Sequence, residues 1–92
     1  MPLIRLIGKV SNAEGAVIQL SVGGPNHFFF NKSYDGSFNE RLNLDAKRYK
    51  IFLSVFTDGN FKFDVKGEYQ SISPEIPDNF TDKNKEVYTL TI

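Results

Sequence analysis

Arg48-Tyr49-Lys50-Ile51-Phe52-Leu53-Ser54-Val55-Phe56-Thr57-Asp58-Gly59-Asn60-Phe61-Lys62-Phe63-Asp64-Val65-Lys66 is the stretch on which the fold turns. Apolar side chains recur at every second position on both sides of Thr57-Asp58-Gly59, the period of a strand and not of a helix. A two-residue loop, Asp58-Gly59, would set Val55 opposite Lys62 and Leu53 opposite Asp64. A three-residue loop, Thr57-Asp58-Gly59, instead sets Val55 opposite Phe61, Leu53 opposite Phe63 and Ile51 opposite Val65, and turns Lys62, Asp64 and Lys66 outward. The expected element is a hairpin closed by a type I turn and a G1 bulge, with Gly59 at the position that needs positive φ. Phe52 and Phe56 then lie on the face away from the apolar set.

The same reasoning applies to Phe28-Phe29-Phe30-Asn31-Lys32-Ser33-Tyr34-Asp35-Gly36-Ser37-Phe38-Asn39-Glu40-Arg41-Leu42. With Tyr34-Asp35-Gly36 as the loop, Phe28 falls opposite Leu42, Phe30 and Phe38 share their face, and Phe29 lies across from Arg41 on the other face. Register carries the argument, because a slip of one residue exchanges the two faces.

Outward from these stretches the pattern stays that of strands. Short β-branched and aromatic runs, at about residues 3–10, 16–22, 27–33, 37–44, 48–57, 60–66, 68–72 and 86–92, are separated by Gly, Pro, Asn and Asp. Their number and spacing predict an all-β fold, an antiparallel β-sandwich of seven to eight strands. A helical turn has room only near residues 45–48 or within 73–85. A chain of 92 residues forms one domain, residues 1–92, because a second core would be too small to offset its ordering entropy.

The segments Gly8-Lys9-Val10, Gly15, the alternating Val17, Leu20 and Val22, Asp35-Gly36-Ser37-Phe38, and Leu44 followed by Tyr49-Lys50-Ile51 give the chain a resemblance. Over about residues 6 to 60 it resembles the carboxypeptidase regulatory-like and transthyretin-like (prealbumin-like) β-sandwich domains. Arg48 stands where that family usually has Gly before Tyr, and an immunoglobulin-like order is the alternative. The resemblance implies a seven-stranded sandwich serving as an accessory module without catalytic residues of its own.

Composition removes several chemistries. There is no cysteine, so disulfide and thiolate-metal frameworks are excluded, and the single histidine, His27, leaves no room for a multi-histidine metal site. Asp35 and Asp58 precede glycine and read as turn formers. Asp78 to Glu86 is rich in oxygen ligands but lacks the spacing and central glycine of a calcium loop, and Lys83 and Lys85 would repel a cation. Asn31-Lys32-Ser33 and Asn79-Phe80-Thr81 match the glycosylation sequon by chance in an Asn-rich chain. No catalytic residue, metal or cofactor is expected. Eleven basic side chains balance eleven acidic ones, four against four in residues 1–46 and seven against seven in residues 47–92. That balance implies no basic face wide enough to neutralise a phosphate track and argues against nucleic acid as the main partner.

What remains is thirteen aromatics without tryptophan, nine Phe and four Tyr. Phe29, Phe52 and Phe56 fall outside the predicted core, Tyr34 and Tyr69 have polar neighbours, and Ile76 and Phe80 punctuate a long loop, 73–85. The outer face is either covered by Leu3 to Ile7 or by that loop, or it is an apolar patch used for assembly. These seven residues are the interaction candidates. The expected role is a non-enzymatic structural or protein-interaction module, a small subunit or accessory domain of a virion, secretion-type or cell-surface assembly. Its partner would be another protein or a second copy of itself. A carbohydrate-binding module using the exposed aromatics is the alternative. Neither a signal peptide nor a run long enough to span a bilayer is visible, so membrane insertion is not expected. The chain is read as a cytoplasmically made assembly component or a trimmed extracellular domain.

Overall fold

A computed structural model describes residues 2–12, 14–24, 27–77, 80–81 and 84–92, with Phe80, Thr81 and Asn84 described by backbone alone. Nine strands follow one another: β1 (Leu3–Val10), β2 (Val17–Gly23), β3 (Phe28–Tyr34), β4 (Phe38–Asn43), β5 (Arg48–Phe56), β6 (Asn60–Gly67), β7 (Ser71–Ser73), β8 (Phe80–Thr81) and β9 (Asn84–Thr91). Eight lie where the alternation places them, and β8 is a two-residue addition within the long loop. No helix occurs among the described residues, so the helical turn allowed near residue 45 is absent.

The strands form two antiparallel sheets packed as a sandwich. Sheet A has the order β4-β1-β6-β8 and sheet B the order β3-β2-β5-β9-β7. In the immunoglobulin arrangement the first two strands share one sheet; here β1 and β2 lie in different sheets. Alternate residues of each strand point inward. Ile4 and Leu6 of β1 and Phe61, Phe63 and Val65 of β6 meet Ile18, Leu20 and Val22 of β2, Ile51, Leu53 and Val55 of β5, and Tyr88 and Leu90 of β9.

Both expected hairpins are corrected. β5 pairs with β2 and β9, whereas β6 pairs with β1 and β8. β3 pairs with β2, and β4 with β1. Each expected hairpin is an arch that carries the chain from one sheet to the other. The apolar residues assigned to one face of the 48–66 stretch are all buried, but they face one another across the core instead of along a ladder. Gly59 is not among the glycines with positive φ. It is small because the β1–β2 turn lies against it, where a Cβ would come 2.6 Å from the Ser11 hydroxyl and 2.9 Å from the Asn12 amide.

This end of the sandwich is tied by polar groups that bridge the turns. The buried Thr57 hydroxyl donates to the Asn12 carbonyl at 3.2 Å and accepts from the Gly59 amide at 3.1 Å. Ser11 accepts through its hydroxyl from the Asn60 amide and donates its own amide to the Asn60 carbonyl. The Val10 amide donates to the Ser37 hydroxyl, bringing in the β3–β4 arch. At the opposite end the Tyr49 hydroxyl donates to the Asp45 carbonyl at 3.1 Å, holding the β4–β5 connection.

Candidate functional site

The outer face of sheet B carries the aromatic surface. β5 turns Phe52 and Phe56 outward, β2 contributes Val17, and β9 places Val87 directly beside Phe52. Phe28 joins them, although the sequence pattern assigns it to the core opposite Leu42. The correction lies in a β-bulge. β2 and β3 run in register from Ile18 against Tyr34 to Val22 against Phe30, and then Gly23 faces Phe28, leaving Phe29 as the extra residue. Gly23 makes this possible, since a Cβ there would overlap the His27 carbonyl and the Phe28 backbone. The bulge returns Phe28 to the outer face, where it is 48% exposed and meets Phe52 edge to face, with ring centroids 5.0 Å apart and planes 84° apart.

Around this pair lies a groove of about 430 Å³, lined by Phe28, Phe52 and Val87 together with the polar Gln19, Ser21, Ser54 and Lys85. Leu3 to Ile7, one of the two expected covers, belongs to β1 in the other sheet. Ile76, from the second expected cover, packs against the core instead. Among the described residues, neither Leu3 to Ile7 nor Ile76 therefore lies over Phe28 and Phe52, and Lys85, the last residue of the expected loop, stands in β9 beside the groove.

The remaining candidates are dispersed. Phe29 is half exposed and meets Tyr49 edge to face at 6.0 Å; it does not oppose Arg41, which belongs to β4 and pairs with Arg5. Tyr34 closes the sandwich edge between β3 and β4. Its ring stacks on Phe38 at 4.3 Å and its hydroxyl donates to Glu40 at 2.8 Å, while Glu40 also pairs with Lys32. Burial first, and then the bond to Glu40 and its negative charge, push the Tyr34 hydroxyl well above its ordinary value. Tyr69 donates to the Val65 carbonyl and rests on the core. The Phe80 side chain lies outside the described residues. Phe28, Val17 and Val87 were missed by sequence reasoning; the signal for Phe28 was the Gly23-Gly24 pair ahead of three consecutive Phe, a pattern that permits a bulge.

A second exposed face is concealed by the balanced halves. Among the described residues nine of ten basic side chains stand on strands, Arg5, Lys9, Lys32, Arg41, Arg48, Lys50, Lys62, Lys66 and Lys85, with only Glu40, Asp64 and Glu86 as strand acids. Between the strands the described residues show the reverse, with Glu14, Asp35, Asp45, Asp58, Glu68 and Glu75 against Lys47. The sorting has a local cause: short acids favour turns, whereas long basic stems lie along pleated surfaces. On the outer face of sheet A it produces a cationic field. Arg5 faces Arg41 on one side and Lys66 on the other, and Lys9 faces Lys62. Among the described residues Asp64 is the acid on this face, and it is bound to Lys66 at 3.6 Å.

His27 is exposed in the β2–β3 turn, where its carbonyl accepts the Gly24 amide. Among the described residues no group of three or more His, Cys, Asp or Glu side chains is placed to hold a metal ion. Comparison with protein-family models, with curated proteins and with solved structures found no match to this chain.

Proposed function

We propose that this domain is a non-enzymatic interaction module, a component of a larger assembly, that seats an apolar side chain of a protein partner in the groove on sheet B. The observation that carries the reading is the contiguous exposure of Phe28, Phe52 and Val87 around a groove. Exposed aromatic side chains beside hydrogen-bonding groups are enriched in protein interfaces, where aromatic anchors supply much of the affinity. A carbohydrate partner is less well supported, because Phe28 and Phe52 stand perpendicular and offer a sugar ring no shared flat platform.

The test is a photo-reactive amino acid placed at position 52, with a control at Glu68, exposed in the β6–β7 connection away from both sheet faces, followed by irradiation in the native cell. A discrete protein adduct from position 52 that is lost on Phe28→Ser supports the module. Equal adducts from both positions, or an adduct indifferent to Phe28→Ser, overturn it.

A further inference from the structure

The outer face of sheet A, remote from the aromatic groove, is incomplete by its own electrostatics. Arg41, Arg5 and Lys66 stand side by side on three adjacent strands. Like charges directly opposed across a ladder are destabilising. Arg5 is held worse still, since its Nε is buried and has no hydrogen-bond partner. A docking group cannot reach that buried atom, but Arg41 and Lys66 beside it are exposed, and three adjacent cations call for an oxyanion on this face. Asp64 does not serve, because it is engaged with Lys66.

The chemistry of that oxyanion can be narrowed. Leu3 and Ile7 are the apolar residues of this face, and none of its three strands turns an aromatic ring outward. Bases and sugar rings are bound by stacking on aromatics, so carboxylates presented by a protein fit better. The chain itself holds a supply. Glu14, Asp35 and Asp58 lie in three turns that the Thr57, Ser37 and Asn12 hydrogen bonds draw to one end of the sandwich. All three are exposed, and none is in an ion pair with another described residue. In a chain of zero net charge, this acidic end is the complement of the cationic face.

We infer that the cationic face of sheet A docks the acidic turn end of a second copy of this chain. The two patches differ, so the contact is heterologous and repeats from copy to copy as an open chain of subunits. The molecule measures 37 × 23 × 19 Å, so its end covers roughly 400 Å² of a neighbour, below the roughly 800 Å² per partner of a standard interface. The association is consequently weak, electrostatic and sensitive to salt.

The experiment is sedimentation and light scattering at low ionic strength, about 20 mM, and again at about 300 mM, where the Debye length falls several-fold. Wild type is expected to gain apparent mass with concentration at low salt and to lose at least tenfold in association constant at high salt. Arg5→Glu with Arg41→Glu keeps the acidic end but loses the face. Glu14→Lys with Asp35→Lys and Asp58→Lys keeps the face but loses the end. Each is expected to be monomeric alone, and a mixture is expected to form a one-to-one dimer. If the Arg5 variant does not fold, Arg41→Glu with Lys9→Glu, both exposed, replaces it. Wild type that stays monomeric at low salt overturns the inference, as does a mixture that fails to dimerise. So does capture of heparin or duplex DNA by the cationic face when self-association is absent. Phe52→Ser should leave the self-association unchanged, which separates this contact from the groove on sheet B.

Discussion

Gly8 shows how a single missing side chain sets the packing of one side of the core. It lies opposite Phe38, whose ring fills the space above the β1 backbone, so a Cβ at position 8 would overlap that ring. Phe38 in turn stacks between Tyr34 and Phe61. Gly8→Ala must displace this aromatic column and should destabilise the fold by about 2 kcal/mol. A fall in melting temperature of about 10 °C would register it, and an unchanged melt would show that the ring yields freely. Tyr88 presents the opposite case, a buried hydroxyl with no hydrogen-bond partner. Burial first, and the neighbouring charge of Glu86 second, raise its pKa from 10.0 to about 12. The unfolded chain ionises near the ordinary value, so Tyr88 and Tyr34 contribute stability that is complete below about pH 10 and declines as pH rises toward 12. Tyr88→Phe removes a hydroxyl that has no acceptor. Its melting temperature should equal or exceed wild type at pH 7, and the loss between pH 10 and 12 should be shallower.

Strand positions were legible in the sequence; strand partners were not. Alternation states which face a side chain takes, and it placed Ile51, Leu53, Val55, Phe61, Phe63 and Val65 inward. It does not state whether two inward faces sit side by side in one sheet or oppose each other across two, so Asp35-Gly36 and Asp58-Gly59 read as hairpins where the chain forms arches. The site was legible to the same extent. Phe52 and Phe56 follow from period two alone, whereas Phe28 depends on a bulge that shifts register after Val22. The cationic face does not show in the charge of either half of the chain, because bases and acids are sorted between strands and turns within each half. Gly23→Val tests the bulge: it should push the His27–Phe28 backbone away, cost about 1–3 kcal/mol, and abolish the ring contact between Phe28 and Phe52. Nuclear Overhauser effects between the two rings, present in wild type and lost in the variant, are the readout. Their persistence would mean that the bulge does not position Phe28.

The whole molecule presents two unlike faces. Sheet B offers a shallow aromatic groove, sheet A offers cations, and the acidic turns collect at one end. A neutral total conceals this polarity, which is why overall charge says little about what such a domain can meet. The arches have a further consequence, one for the time course of folding. β2 with β3 is the one pairing between consecutive strands among the described ladders; β1 must wait for β4 and β6, and β5 for β9. Chains dominated by such distant pairings close large loops before any contact rewards them, and they fold in milliseconds to seconds instead of microseconds. Stopped-flow tyrosine fluorescence should place refolding in that slow range. During synthesis the first strand emerges with its apolar side uncovered until its neighbours arrive, an interval in which a chaperone or a neighbouring nascent chain competes with β4 for its edge.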